Sequence, residues 1–220
     1  MAYDFDTIAA NYDRMNRLMT LGLDRRWRKR AVRRVRGEVL DVACGTGDMM
    51  VELVRWGCDV TGVDLSEEMM SIARLKVKDA RLMEADAEHL PFDDNTFDAV
   101  TCAFGVRNFV HLEQGLAEML RVLRPGGTMV ILELATPDSP LARLFYDLYT
   151  KHVIPWLGRR IAGNREAYTY LPTSIERFPK GKAFLCRVNG KGTERKLTFG
   201  VCRLYVINKE AAVSGQPLCY

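Results

Sequence analysis

The sequence predicts an α/β domain with a mostly parallel sheet, helices on both faces and an antiparallel end. Three observations carry this. From residue 37 to about 135, apolar runs of about five residues alternate with helical patterns. Such runs, separated by helices, are βαβ units whose strands are covered on both sides. Turns bearing glycine or aspartate follow the runs, at the end where these sheets hold ligands. Later, LTFGVCRLYVIN (197–208) offers an antiparallel partner to a short strand, FLCRV (184–188), across a turn at Asn189-Gly190.

In chain order, VLDVA (39–43) reads as the first strand and DMMVELVRW (48–56) as a helix. DVTGVD (59–64) is the second strand. Ser66 caps the next helix, with Glu67 and Glu68 in its first turn, where carboxylates suit the helix dipole. ARLMEAD (80–86) and FDAVTCAF (97–104) are the third and fourth strands. LEQGLAEMLRVL (112–123) is helical, with Leu112, Leu116, Met119, Leu120 and Leu123 on one side. Arg124-Pro125-Gly126-Gly127 stops it, and TMVILELA (128–135) is the fifth strand. Residues 140–163 then carry Leu141, Leu144, Phe145, Leu148, Tyr149, His152 and Trp156 at helical spacing, the mark of a core helix, a lid or a lipid-facing surface.

A chain of 220 residues makes one domain and buries a sizeable core unaided. With 48% hydrophobic and 27% charged residues it is neither disordered, nor collagen-like, nor a small disulfide scaffold. No apolar run of about 18 residues predicts a membrane span. The opening MAYDFDTIAANYD lacks the charged start and apolar stretch of a secretory leader, so a cytoplasmic protein is expected. Six cysteines lack C-x-x-C spacing and there are only three histidines, so no zinc site or disulfide framework is expected. The net charge of +4 is less informative than its distribution: eight of the twelve residues from Arg25 to Arg36 are basic. That run is either a solvated helix face or a patch for anionic lipid or nucleic acid.

The strand ends carry the chemistry. Asp41-Val42-Ala43-Cys44-Gly45-Thr46-Gly47-Asp48 follows the first strand, and Gly45 and Gly47 let the backbone turn sharply beside a ligand. Asp64 ends the second strand, where a carboxylate can accept from both hydroxyls of a ribose. A third glycine of G-x-G-x-x-G would fall at Met50, and no phosphate-binding G-x-x-x-x-G-K-[ST] loop exists. A ligand with ribose and adenine but no phosphate fits best, namely S-adenosylmethionine. Asp86 and Ala87 can receive the adenine amino group, and Pro91-Phe92 offers the purine an apolar surface. The plainer reading of Asp41, Asp64 and Asp86 is as strand-end turn residues.

VLDVACGTGD, GVDLSEEMM, ADAEHLPFDDNTFDAVTCAFGVRNF and EMLRVLRPGGTMVILELATP resemble the demethylmenaquinone and ubiquinone-pathway C-methyltransferases. Ala103–Asn108, Tyr12–Asn16 and Tyr168–Leu171, with Ser174-Ile175 and Phe178-Pro179, are narrower signatures. The resemblance runs from about residue 3 to 179 and recurs at Leu197-Thr198. It implies a Rossmann-like class I methyltransferase with a seven-stranded sheet, S-adenosylmethionine as cofactor, and Thr46, Asp64, Asp86, Ala87 and Ala103 at its site. It divides a single domain, 1–209, into a helical lid (about 1–36), a nucleotide-binding core (about 37–136) and a substrate-side segment (about 137–209). Residues 210–220 are expected to fray. Asp24 stands where the family commonly has histidine, and 180–196 looks short for the family's pattern.

The reaction so implied moves a methyl group onto a ring carbon of a reduced polyprenyl quinone. Arg107 is expected to stabilise the ionised quinol or orient a proton-accepting water, and Asn108 to position the same oxygen. Their alternatives are a structural ion pair with an aspartate and a cap on the following helix. Tyr12 folds over the pocket or simply packs, and His89 and His111 read as surface or cap residues. A lipid acceptor implies an anionic membrane surface as a transient partner, met at the basic run or the 140–163 stripe. No nucleic-acid partner is expected, since no aromatic platform accompanies the basic run. Two other functions compete: O- or N-methylation of another small molecule, and non-catalytic binding of RNA or membrane on the same fold.

Overall fold

The computed structural model describes residues 9–153, 172–188 and 191–211. Trp156, the Tyr168–Leu171 signature, the Asn189-Gly190 turn, the first eight residues of the expected lid and residues 212–220 of the tail lie outside these.

The described elements run α1 (Ala9–Met19), α2 (Leu23–Ala31), β1 (Glu38–Val42), α3 (Asp48–Arg55), β2 (Asp59–Asp64), α4 (Glu67–Lys76), β3 (Arg81–Glu84), β4 (Phe97–Ala103), α5 (Leu112–Arg121), β5 (Leu123–Leu134), α6 (Pro140–Leu148), α7 (Lys182–Leu185), β6 (Lys191–Leu197) and β7 (Cys202–Asn208). The strands form one sheet in the order β3-β2-β1-β4-β5-β7-β6. β1 to β5 are parallel, and β7 is antiparallel to both its neighbours.

Alternation along β1 explains the two cores. Val39 packs on one face with Trp27, Val32, Met50 and Leu53, while Leu40 and Val42 face Leu116, Met119 and Phe184 on the other. Ser66 Oγ accepts from the Met69 amide at 3.1 Å, capping α4 as expected.

The structure corrects three readings. Arg124–Gly127 does not precede the fifth strand but lies inside β5 as an irregularity: Phe97 pairs with Leu123, and Ala99 with Thr128. Extra residues in one strand make a bulge, which Pro125 and Gly126 tolerate. FLCRV is not a strand. Phe184 belongs to α7 and is fully buried against Phe178 and Tyr205, with ring centroids 5.3 and 4.5 Å away. The strand is instead the charged KGTERKL, whose polarity suits an exposed sheet edge. Finally, 197–208 is not continuous: a turn at 198–200, with Thr198 and Phe199 in left-handed backbone, separates β6 from β7.

The helix expected over 140–163 is α6, followed by a π-turn over Tyr149–Val153. Leu141, Leu144, Phe145 and Leu148 are exposed, so they are not core. The basic run is mostly a solvated face: Arg25, Arg26, Lys29, Arg30, Arg33, Arg34 and Arg36 are exposed, while Arg28 is buried.

Candidate active site

A cavity of about 330 Å³ opens at the carboxyl ends of β1, β2 and β4. Gly45, Asp64, Asp86, Ala87, Ala103, Asn108 and Tyr12 line it. Asp41, Thr46, Gly47 and Arg107 do not. Phe92 does not reach it either. Its ring stacks edge-on against Phe97 at 5.0 Å in the core, and Leu65, Phe109 and Val110 supply the apolar wall instead. Leu65 and Val110 are 64% and 69% exposed. An exposed leucine directly after the strand-end aspartate is the sequence signal that could have found this wall.

The loop from Ala43 to Gly47 is shaped by two glycines with different tasks. A Cβ at Gly45 would meet nothing within 4 Å, so the backbone presents open space. A Cβ at Gly47 would stand 2.9 Å from that of Ala73, so this glycine lets α3 and α4 approach. Asp64 binds the loop by accepting from the amides of Gly45 (2.7 Å) and Ser66 (3.0 Å). Asp86 accepts from the Glu88 amide at 2.9 Å. Glu88, missed by the sequence reading, is buried and accepts from the amide of His111 at 2.7 Å. His89 and His111 are mostly exposed, as expected of surface residues.

Asp41 lies below the loop, buried, accepting from Thr101 Oγ1 at 2.6 Å. Its second carboxylate oxygen is buried without a hydrogen bond. Burial pushes its carboxyl up to about 7, against the pull of Thr101 and Arg28 and with a further push from Asp64.

The N-terminal helix α1 is tied to this loop, and α2 packs beside it on Phe104. Thr46 Oγ1 donates to Asp13 at 2.6 Å, and Lys76 pairs with both Asp13 and Asp48. Tyr12, Met15 and Met19 of α1 pack with Met69 and Ile72 of α4. On α2, Asp24 pairs with Arg28 at 2.6 Å and accepts from Thr20 at 3.0 Å. Arg28 sits 5.0 Å over the Phe104 ring, and Trp27 meets the same ring edge-on.

Arg107 is held behind the cavity wall. Its guanidinium pairs with Glu133 at 2.7 Å and donates to the Phe104 carbonyl, and both partners of the ion pair are buried. The anticipated ion pair is therefore present, with a glutamate. Asn108 sits in a short 3-10 turn over Val106–Asn108 and caps no helix; His111 holds the N-cap position of α5.

A second, larger cavity of about 800 Å³ lies between α1, α2 and α6. Its wall is mainly apolar, including Met19, Trp27, Leu134, Phe145 and Ile175.

Residues 2–209 match the ubiE/COQ5 methyltransferase family. The chain belongs to this family. It is 42% identical to the demethylmenaquinone methyltransferase of Bacteroides fragilis, over 93% of this chain and 90% of that one. It is 45% identical to the ubiquinone/menaquinone biosynthesis C-methyltransferase UbiE of Geobacter sulfurreducens, over 93% and 86%. An S-adenosylmethionine-dependent methyltransferase from Thermotoga maritima shares the fold, with a TM-score of 0.64 at 18% identity, over 94% of this chain and all of that one. The protein is thus a class I methyltransferase with S-adenosylmethionine as its cofactor.

The strand-end cavity fits that group. Its described lining has three carboxylates, Asp64, Asp86 and Glu88, and no lysine or arginine. Such a field suits a cationic sulfonium nucleoside and opposes a pyrophosphate.

Two outcomes follow. Asp41 stays protonated in the folded protein up to about pH 7 but ionises near pH 4 when unfolded. The native state therefore binds more protons across that window, and stability falls as pH rises through it. Asp41→Asn, which keeps an acceptor for Thr101, flattens this fall; denaturant midpoints between pH 4.5 and 8 check it, and parallel curves for both proteins contradict it. Arg107→Ala leaves Glu133 buried without its cation and costs about 3–5 kcal/mol of unfolding free energy. Urea titration measures this, and a loss under about 1 kcal/mol is incompatible with a buried pair.

Proposed function

We propose that the chain methylates a ring carbon of a reduced polyprenyl quinone, meeting it at an anionic membrane surface from the cytoplasmic side. The observation that carries this is the apolar cavity of about 800 Å³ beside the strand-end crevice. Burying isoprenoid carbon there favours binding by about 0.8 kcal/mol per CH₂-sized unit. The curated relatives are named for demethylmenaquinone and for ubiquinone/menaquinone biosynthesis, which supports a quinone ring over an amine or hydroxyl acceptor.

In this reading Asp64 receives the ribose hydroxyls and the open backbone at Gly45 admits the methionyl part. Asp86 and Ala87 hold the adenine edge between the apolar residues Leu65 and Val110. Ala103 contributes through its backbone, and Tyr12 covers the crevice from α1. Asp41 and Gly47 shape the loop from beneath, and Thr46 fastens it to the lid through Asp13. When bound, the cofactor supplies an electrophilic methyl group.

The chain's own contribution is orientation, dryness and charge placement. Arg107 stands in contact with the Phe104 carbonyl and Glu133. We therefore assign it to positioning the Phe104–Asn108 wall, in place of direct proton abstraction, which its high intrinsic pKa opposes in any case. Asn108, which lines the crevice, is the group of this wall placed to orient an acceptor oxygen. In the same reading residues 1–36 form a lid, 37–136 the nucleotide-binding core and 137–209 the substrate side, with Tyr12 of α1 at the crevice and α2 and α6 at the large cavity.

No helix among the described residues is long and apolar enough to cross a membrane. The surface around the large cavity nevertheless exposes Leu21, Leu141, Leu144, Phe145 and Phe199. The exposed cations of α2 follow Leu21 directly in sequence. Apolar side chains beside a cationic face suit the headgroup region of an anionic leaflet.

Labelled S-adenosylmethionine with reduced naphthoquinol and benzoquinol acceptors tests the reaction. The expected product carries a new carbon–methyl bond on the ring; label on oxygen or nitrogen, or transfer to a non-quinone only, rejects it. Vesicle sedimentation tests the surface. Binding to anionic vesicles is expected to fall with salt, and by more than about 100-fold when Arg25, Arg26, Lys29 and Arg30 are changed to glutamine, at about 1 kcal/mol per charge. Salt-independent binding, or equal binding to neutral vesicles, rejects the electrostatic surface.

A further inference from the structure

The large cavity is mainly apolar, so its few polar groups decide how a ring sits in it. Most already have partners within the protein. Thr20 Oγ1 lies within hydrogen-bonding distance of two acceptors, the Asn16 carbonyl and Asp24, and Thr150 Oγ1 donates to the Tyr146 carbonyl. Thr198 Oγ1 accepts from Trp27, and Tyr149 Oη donates to the Leu18 carbonyl. Asp138 is enclosed by Lys180, Lys196 and Arg203. Ser139 lies at the exposed start of α6. Two lining groups remain: the Asn16 carboxamide and the Tyr146 hydroxyl. Neither forms a hydrogen bond to any described side chain or backbone group.

Their placement is not arbitrary. Asn16 lies four residues after Tyr12, so the two share a face of α1. Tyr12 lines the cofactor crevice and Asn16 the large cavity. Asn16 therefore marks the end of the large cavity that adjoins the crevice. Tyr146 approaches from α6, which continues into Tyr149, the residue that bonds to Leu18 of α1. The same phenol feels the Arg107 guanidinium behind the crevice wall. Burial keeps it protonated, raised to about 12, so it is a donor at any physiological pH. The lining also includes Leu21, Leu141 and Phe199, all exposed and apolar.

We propose that Tyr146 and Asn16 hydrogen-bond the ring hydroxyls of the acceptor, fixing the ring at the crevice end and directing its tail past Leu21, Leu141 and Phe199. The assignment rests on the quinol reading above. An unpartnered donor and an unpartnered amide in an apolar cavity match a flat ring with hydroxyl groups, and the apolar mouth matches its tail. They set which acceptor is taken and how it is turned, and leave cofactor binding alone.

The test compares the wild type with Tyr146→Phe and Asn16→Ala, using a reduced quinol and its mono-O-methyl ether as acceptors. Each variant is expected to raise the KM for the quinol about tenfold, the loss of one hydrogen bond. Melting temperature and calorimetric affinity for S-adenosylmethionine are expected to stay unchanged. The wild type's preference for quinol over ether is expected to shrink in at least one variant, which a merely structural role would not bring about. Unchanged KM and preference in both variants, with the wild type active, overturn the assignment and leave the quinol reading standing. A wild type that turns over no quinol overturns both.

Discussion

The crevice exists because the chain leaves β1 and β4, neighbours in the sheet, in opposite directions. From β1 it crosses to β2 and β3 on one side, and from β4 to β5 on the other. The two strand ends are left with a gap between them that no crossover helix fills. Everything functional here is an elaboration of that gap. Ala43 and Phe104, the residues that turn the chain away just beyond β1 and β4, both have left-handed backbone, a conformation costly for side chains of their kind. That cost is tolerated because each is held. Phe104 donates its amide to Leu132 at 2.7 Å, and its ring lies under Arg28 and Trp27. Gly105 leaves no room for a side chain between Ala43 and Cys102.

Charge then fastens the lid to the gap. Asp13 reaches from α1 to Thr46 and Lys76, so that helix is bonded to the glycine loop itself. α2 does the same from its inner face. Its Asp24–Arg28 pair is buried, which is favourable only where further contacts compensate the lost hydration. Thr20 and the Phe104 ring supply them. The acid at Asp24 holds the arginine that covers Phe104. The loop is thus tied on one side to Asp64 and on the other to α1.

What the sequence disclosed follows from which signals are local. β1, β2 and β4 were legible to within a residue, and β3 to within two, because their apolar runs are bounded by turns. Gly45, Asp64, Asp86 and Ala87 were legible as strand-end residues. The β6–β7 end was not. FLCRV has the composition of a strand, yet tertiary packing of Phe184 between Phe178 and Tyr205 takes it into a helical turn, and the charged KGTERKL becomes the edge. Arg28 was hidden inside a run of like residues; only the i, i+4 spacing to Asp24 sets it apart. Glu133, the partner of Arg107, lies 26 residues away in a strand that reads as core, so no local pattern joins them.

The division of labour along α1 ties these elements together. A helix places residues four apart on one face, about 6 Å along its axis. With Tyr12 on the crevice, Asp13 on the glycine loop and Asn16 on the large cavity, one short helix touches all three parts of the site. A methyl transfer requires two bound molecules aligned to within a fraction of an ångström. Two pockets built on separate elements would shift against each other with every movement of the lid. Sharing a helix couples the two: α1 contributes Tyr12 to the crevice and Asn16 to the large cavity, and the Thr46–Asp13 bond ties that helix to the loop after β1.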